Sequence, residues 1–350
     1  MNLSGGTEKM VSVIANKLSS SYDNVHVLSI FSGKEPFFSI DKCIKIENIY
    51  DDEISMTKNY FHISYGIRKY TRENNINVFI DVDTTLSLFS LFSLVGMNVK
   101  HISWEHFNYN VFRDVFKRKL ARKLAALFSD YVVTLTEKDR ELWLSNSRCK
   151  ANVIAINNPI PFNISDYESN SYCQESKTVL AVGRFTEQKG FDLLIEAWSF
   201  LVNRAPGWRL HMVGSGEDEE KLKSLISHYG LSDTVALYPP TKDIELHYKS
   251  AAIYCMSSRY EGLPMVLLEA IYYKLPIISF DCDTGPSEVI DDDVTGMLCE
   301  PFDTYSLSNK LLELMNDDKK RVSFSMETSK IIHRFCIESI MEKWHFIIKN

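Results

Sequence analysis

Ser258-Arg259-Tyr260-Glu261-Gly262-Leu263-Pro264-Met265-Val266-Leu267-Leu268-Glu269-Ala270 is the stretch on which the reading of this chain turns. It follows a short apolar run over 251–256, turns on Gly262 and opens a helix with Pro264 in its first turn, where a missing N–H costs nothing. Two carboxylates therefore bracket a helix start. Glu261 falls in the turn and Glu269 about five residues into the helix, roughly 7.5 Å further along the axis at about 1.5 Å per residue, so they do not form a touching acid pair. A helix N-terminus offers free N–H groups and the positive end of a dipole, which suits a phosphate, while flanking carboxylates suit hydroxyls. Together they point to a sugar nucleotide.

Outward from this stretch the periodicity alternates between strand and helix. On its side of the chain, strands are expected over 179–182, 209–213, 234–238, 252–256 and 276–280, with helices beginning near Phe191, Asp218, Ile244, Pro264 and Pro286 and a last apolar-striped helix over 333–348. The earlier half reads as a helix over 7–19, strands over 25–31 and 43–49, a helix over 60–74 and a buried-type strand over 78–82. It continues with a helix over 84–97, a strand over 99–104, a basic helix over 112–128, a strand over 131–135, a helix from Glu137 and a strand over 152–156. This alternation predicts an α/β protein with two Rossmann-like domains, each a mostly parallel sheet covered by helices. The site is expected in a cleft at the carboxyl ends of the strands. Asn157-Asn158-Pro159-Ile160-Pro161 and the polar run after it break the pattern. The expected division is an acceptor-side domain over 1–157, a linker over 158–176, a nucleotide-sugar domain over 177–330, and a terminal helix over 331–350 that packs back on the first domain.

The 350 residues, 45% hydrophobic and 24% charged, suffice for two cores, and the net charge of −7 argues against broad nucleic-acid binding. Seven cysteines without a C-x-x-C spacing, several in apolar strands, predict reduced thiols in a cytosolic protein with neither a disulfide framework nor a zinc site. Residues 1–9 lack the basic-then-apolar order of a secretory signal. The most apolar run, 86–95, is too short to span a bilayer and is interrupted by Ser87, Ser90 and Ser93.

Several loops carry candidate chemistry. Gly183-Arg184-Phe185-Thr186-Glu187-Gln188-Lys189-Gly190 sets an arginine fork and a lysine point charge between glycines after a strand, suited to a diphosphate leaving group or simply to a solvated loop. Gly5 and Gly6, in Ser4-Gly5-Gly6-Thr7-Glu8, let backbone approach a ligand closely or merely turn the chain. Val213-Gly214-Ser215-Gly216 reads as a plain tight turn with Ser215 or Asp218 near a helix cap. His106, after the strand over 99–104, either meets a sugar hydroxyl or is structural, and His101 reads as structural. In the helix over 112–128, Arg113, Lys117, Arg118, Lys119, Arg122 and Lys123 surround apolar residues spaced by four. The cations suit an anionic membrane surface, at about 1 kcal/mol each. Alternatively, the apolar stripe faces the core and the charges solvate the outer face.

These residues resemble the retaining glycosyltransferases of family 4, which have the GT-B fold. The likeness runs from Gly5-Gly6-Thr7-Glu8 through Trp104-Glu105-His106 and Asn157-Asn158-Pro159 to Gly183-Arg184, Lys189-Gly190 and the stretch from Glu261 to Glu269. Tyr238-Pro239-Pro240-Thr241 and Asp281-Cys282-Asp283-Thr284-Gly285-Pro286-Ser287-Glu288 look like the amylovoran and lipopolysaccharide branch, which builds bacterial surface polysaccharides. The resemblance implies transfer with retention from a nucleotide-sugar donor, UDP-linked by expectation, to a lipid-linked glycan acceptor, without a metal cofactor. It assigns Glu269 to the ribose, Glu261 to the donor sugar, Arg184 and Lys189 to the diphosphate, and His106 to the transferred sugar. Gly5 and Gly6 would line the cleft, Gly262, Leu263 and Pro264 would form the donor turn, and the base would lie near Pro240 and Thr241. A GT-B sugar-nucleotide epimerase and a catalytically impaired sugar-nucleotide-binding protein are the alternatives. One departure stands out: members of the family begin with a full strand ahead of the glycine pair, whereas only Met1-Asn2-Leu3-Ser4 precede it here. Absence of that central strand predicts exposed apolar surface and unpaired backbone in the first sheet.

Overall fold

The computed structural model describes residues 5–32 and 35–350. The chain forms two compact units, the first running to Pro161 and rejoined by Ile337–Asn350, the second Phe162–Cys336. The first unit contains α1 (Gly6–Ser19), β1 (His26–Phe31), β2 (Lys45–Tyr50), α2 (Tyr60–Glu73), β3 (Val78–Val82), α3 (Ser87–Leu94), β4 (Lys100–Trp104), α4 (Phe116–Phe128), β5 (Tyr131–Thr134), α5 (Glu137–Asn146) and β6 (Asn152–Ala155). The second contains β7 (Thr178–Val182), α6 (Phe191–Leu201), β8 (Arg209–Val213), α7 (Glu219–His228), β9 (Val235–Tyr238), α8 (Ile244–Ser250), β10 (Ile253–Met256), α9 (Met265–Tyr272), β11 (Ile277–Phe280), α10 (Pro286–Val289), β12 (Gly296–Cys299), α11 (Thr304–Asn316) and α12 (Asp318–Ile332). The last helix, α13 (Ile337–Lys349), belongs to the first unit, where Trp344 packs edge-on against Trp104.

In the second unit six parallel strands stand in the order β12-β11-β10-β7-β8-β9. β10 and β11 are apolar runs buried along their whole length, as strands covered on both faces must be. Trp198 of α6 and Leu307, Leu311 and Leu314 of α11 fill the core against them. β12, α11 and α12 are additions to the sequence-based reading. Gly-Met-Leu-Cys has no β-branched residue, so β12 gives almost no local strand signal and is held by its pairing with β11.

The first unit is arranged differently. β3-β4-β5-β6 form one parallel sheet and β1-β2 a separate parallel pair. Among the described residues, β1 and β3 each lack a partner along their second edge. Between them lies an apolar cavity of about 1120 Å³, lined by all of β1, all of β3, Val11 and Ile14 of α1, and Trp344 and Ile348 of α13. β1 is only half-buried at every position. Apolar strand surface lining a cavity and two unpaired strand edges are therefore present among the described residues. Met1 to Ser4 lie outside the described residues.

Helix α4 corrects two expectations. It starts at Phe116 rather than at 112, because Phe112 sits in the left-handed region at φ 56° and Val115 is extended. Arg118 and Arg122, counted above with the surface cations, point inward: Arg122 is 3% exposed and both guanidinium groups bind Glu105. Arg113, Lys117, Lys119 and Lys123 do face solvent.

Among the described residues no helix is long and apolar enough to cross a membrane, and all seven cysteines are free.

Candidate active site

In the second unit chain order reverses between β7 and β10, so the loops leaving these two strands diverge from a common point at the carboxyl ends, the usual place for a ligand in an open α/β sheet. The loop after β7 carries Arg184 and Lys189, and the loop after β10 carries Glu261. The two loops are laced together. Arg259 donates its backbone N–H to Gln188 O (2.8 Å), Gln188 Nε2 donates to Tyr260 O (3.1 Å), and Ser257 Oγ donates to Lys189 O (3.1 Å). The Arg259 guanidinium grips both oxygens of Asp192 at 2.9 Å. Burial alone would raise the Asp192 carboxyl, but Arg259, Lys221 and the Leu193 N–H together hold the group below its ordinary value. Gly190, at φ 61°, lies so close to Ser257 O that any side chain would collide with that carbonyl.

This lacing brings Lys189 Nζ to 2.6 Å from Glu261 Oε1. Residues to which the resemblance assigns separate duties, diphosphate and sugar, are thus directly paired. Glu261 is buried, and Arg184 is exposed. Gly214 and Gly216 pack on the backbone of Gly183 and Phe185, and Phe185 N–H donates to Ser215 O (2.8 Å). The 213–216 turn is therefore a brace under the Arg184 loop. Thr284 braces the other side, its hydroxyl donating to Glu261 O (2.7 Å), and Gly285, at φ 102°, clears Gly262 O and Pro264.

Pro264 is the N-cap of α9, one residue ahead of the expected first turn, and Glu269 lies inside this helix. Glu269 Oε2 accepts from Tyr248 Oη at 2.9 Å. Tyr248 is fully buried, stacked between Tyr254 (5.8 Å between centroids) and Tyr273 (5.1 Å). Burial first, and the Glu269 charge next, push its phenol well above the ordinary range, so it remains a proton donor that fixes one carboxylate oxygen. Sequence reading missed Tyr248; its signal was a tyrosine in the helix after the Pro240 loop. Pro240 and Thr241, just beyond β9, are exposed.

In the first unit, Gly5 is the N-cap of α1, with the Glu8 carboxylate folded against it. Ser4 lies outside the described residues. His106 follows β4 and is stacked on Trp104 at 4.4 Å, with a buried Nε2 that has no hydrogen-bond partner among the described residues. Burial lowers its pKa to about 4, and Asp83 only partly opposes this, so the imidazole is neutral at physiological pH. The sign of its pH effect follows. Above the ordinary value of 6.5 both folded and unfolded imidazoles are neutral; as pH falls toward about 4 only the unfolded one takes up a proton. Stability present at neutral pH is expected to be lost across that interval, by up to about 3 kcal/mol. Urea midpoints measured at about pH 7 and pH 4.5 should fall further for the wild type than for His106→Gln; equal falls would show that His106 is not desolvated. His101 is structural: its Nε2 meets Asp81 Oδ2 and its Nδ1 meets Ser129 Oγ, both at 2.9 Å and all buried.

Glu105, between Trp104 and His106, organises the same region. It accepts from Arg118 (3.0 Å), Arg122 (3.0 Å), Thr84 Oγ1 (2.7 Å) and Phe107 N–H (3.1 Å). Arg118 also binds Asp83 at 2.9 Å, and Arg122 donates to the carbonyls of Asn108, Tyr109 and Val111. The loop after β4 is therefore wrapped around Arg122.

The family model described as "Glycosyl transferases group 1" matches residues 167–330. Over 344 residues the chain is 36% identical to an uncharacterized glycosyltransferase of Haemophilus influenzae, covering 98% of this chain and 96% of that one. Over 348 residues it is 31% identical to the amylovoran biosynthesis glycosyltransferase AmsD of Erwinia amylovora, covering 99% and 96%. The crystal structure of Anabaena HepE in complex with UDP superimposes with a TM-score of 0.80 at 16% identity, covering 100% of this chain and 97% of that one; at that identity the likeness is one of fold.

Proposed function

This chain belongs to the glycosyltransferases, and from that premise we propose that it moves a hexose-type sugar from a UDP-linked donor to a lipid-linked surface polysaccharide or lipopolysaccharide glycan, with retention of the anomeric configuration. The observation that carries the reading is the constellation at the reversal of the second sheet. Arg184 and Lys189 stand on one loop, Glu261 is paired to Lys189 from the next, and Glu269 is held by Tyr248. The AmsD likeness supports a surface glycan as acceptor, and the fold shared with a UDP-bound protein supports the donor class.

On this reading the Arg184 fork and the Lys189 ammonium take the diphosphate and stabilise the charge it gains as the sugar leaves, without a metal. Glu269 accepts from the ribose hydroxyls, Glu261 accepts from a sugar hydroxyl, and the base lies against Pro240 and Thr241. The neutral His106, with an unsatisfied ring nitrogen, suits a hydroxyl of the transferred sugar better than it suits proton abstraction. No side chain is nominated as a covalent nucleophile.

The test is calorimetry with UDP alongside turnover. Glu269→Ala is expected to weaken UDP binding about tenfold or more, the loss of hydrogen bonds to a charged acceptor, while Arg184→Ala mainly slows transfer. Unchanged binding and turnover in both variants would remove the site. A product of inverted anomeric configuration, read by NMR, would remove retention alone.

A further inference from the structure

Of the seven residues of α8 only Tyr248 is buried, and it is buried completely, so this one side chain fixes where the helix sits. Its ring is clamped on both faces. It lies 17° from parallel to Tyr254 of β10 and 14° from parallel to Tyr273, the C-cap of α9. Tyr254 is pinned in turn at Val182, accepting from its N–H (3.4 Å) and donating to its carbonyl (3.3 Å), at the root of the Arg184 loop. The stack therefore ties α8 to β7, β10 and α9, the elements that carry Arg184, Lys189, Glu261 and Glu269. A ring held this way sends its hydroxyl in one direction, and that direction is Glu269 Oε2. Packing alone would be served by phenylalanine, because a buried hydroxyl costs free energy unless it is paired. Burial also keeps the phenol protonated, so it always donates.

Glu269 itself is half-buried. An ionised carboxylate has about four acceptor positions, so the bond from Tyr248 takes part of that capacity and sets the plane of the rest. A carboxylate fixed in this way cannot swing into water when a ribose hydroxyl is missing. The acceptor is then left without its partner, which is how a polar site rejects an analogue that lacks a hydroxyl. A carboxylate free to rotate would find water and tolerate the analogue. We propose that Tyr248 is a positioning residue: by fixing the Glu269 carboxylate it gives the nucleotide site its preference for ribose over deoxyribose. This role rests on the donor reading, in which Glu269 meets the ribose, and deepens it by naming what turns that contact into selectivity.

The experiment is calorimetry of the full chain with UDP, GDP and the 2′-deoxy and 3′-deoxy forms of each, for the wild type, Tyr248→Phe and Glu269→Ala. The tighter-binding base serves as the probe, because the ribose contact does not depend on the base. The wild type is expected to bind the ribonucleotide about tenfold or more tighter than at least one deoxy form, the loss of a hydrogen bond to a charged acceptor. Tyr248→Phe keeps the stack and should weaken the ribonucleotide by about the same tenfold. The deoxy form should bind to it as it does to the wild type, so that the preference collapses; thermal midpoints report whether the variant is folded. The proposal is overturned if the wild type shows no preference, if Tyr248→Phe binds the ribonucleotide as the wild type does, or if it weakens ribo and deoxy forms by the same factor, the mark of a purely structural tyrosine. Glu269→Ala separates the two readings. A loss with Glu269→Ala and none with Tyr248→Phe removes this inference alone, whereas no loss with Glu269→Ala removes the ribose assignment and this inference with it.

Discussion

Replacing Arg122 with alanine is expected to destabilise the first unit by about 3–5 kcal/mol, the usual cost of stranding one partner of a buried ion pair. Glu105 has no exposed side-chain surface, and Arg122 is both its partner and the donor to the carbonyls of Asn108, Tyr109 and Val111. Alanine leaves a buried carboxylate with less compensation and three carbonyls needing new donors, and Arg118 cannot cover both because it is shared with Asp83. Because the chain folds as two units, the measurement is urea unfolding resolved into two transitions. The transition of the first unit should move to markedly lower urea while the other stays. Lys119→Glu, on the outer face of the same helix, should move neither by more than about 0.5 kcal/mol. An Arg122→Ala shift that small would mean that the network does not hold the loop.

The second large effect concerns the cavity between β1 and β3. An apolar five-residue strand joined directly ahead of Gly5 would lead into α1, whose Thr7, Glu8 and Val11 already line that cavity. Running parallel between the two strands, it would supply partners to both edges, and passing through α1 to β1 it would make the usual βαβ crossover. Burial contributes about 2 kcal/mol for each apolar side chain, ordering costs about 1.5 kcal/mol per residue, and ladder bonds add to the difference. The net gain should be on the order of 5 kcal/mol, seen as a higher urea midpoint for the first unit, better soluble yield and higher transfer activity. A control extension with alternate residues changed to Asp should give none of these. Equal midpoints for the apolar and Asp-bearing extensions would show that the cavity does not accept a strand.

The alternation of strands and helices was legible because each buried strand is a compact apolar run and each helix has an inward stripe. Where those local signals fail, the reading failed. β12 lacks β-branched residues, and the start of α4 depends on a left-handed Phe112 that no propensity announces. The candidate site was legible as a set of residues but not as relations among them. Arg184, Lys189, Glu261 and Glu269 could be named from spacing, whereas the Lys189–Glu261 pair depends on two loops 72 residues apart being laced together. The buried Arg118 and Arg122 were read as surface charge, yet their spacing of four along a face shared with Ala121 and Ala125 was a signal that they face inward. Small residues on one side of a helix, with long cations among them, leave room for those cations to reach a buried acid.

If Lys189 and Glu261 divide the donor as proposed, their pairing makes the donor and the spent nucleotide bind differently. Within the fold the ammonium already has its counter-ion, so the pair is electrically balanced and costs little to keep folded. A diphosphate arriving alone must compete with the Glu261 carboxylate for Lys189. A complete donor does not face the same contest, because its sugar gives Glu261 hydroxyls to hold in exchange for the ammonium. Once the sugar has departed, that exchange reverses: Glu261 reclaims Lys189, and the nucleotide is left with a weaker grip. On the donor reading, a single ion pair between two loops thus acts as a built-in displacer that favours loading of substrate and discharge of product.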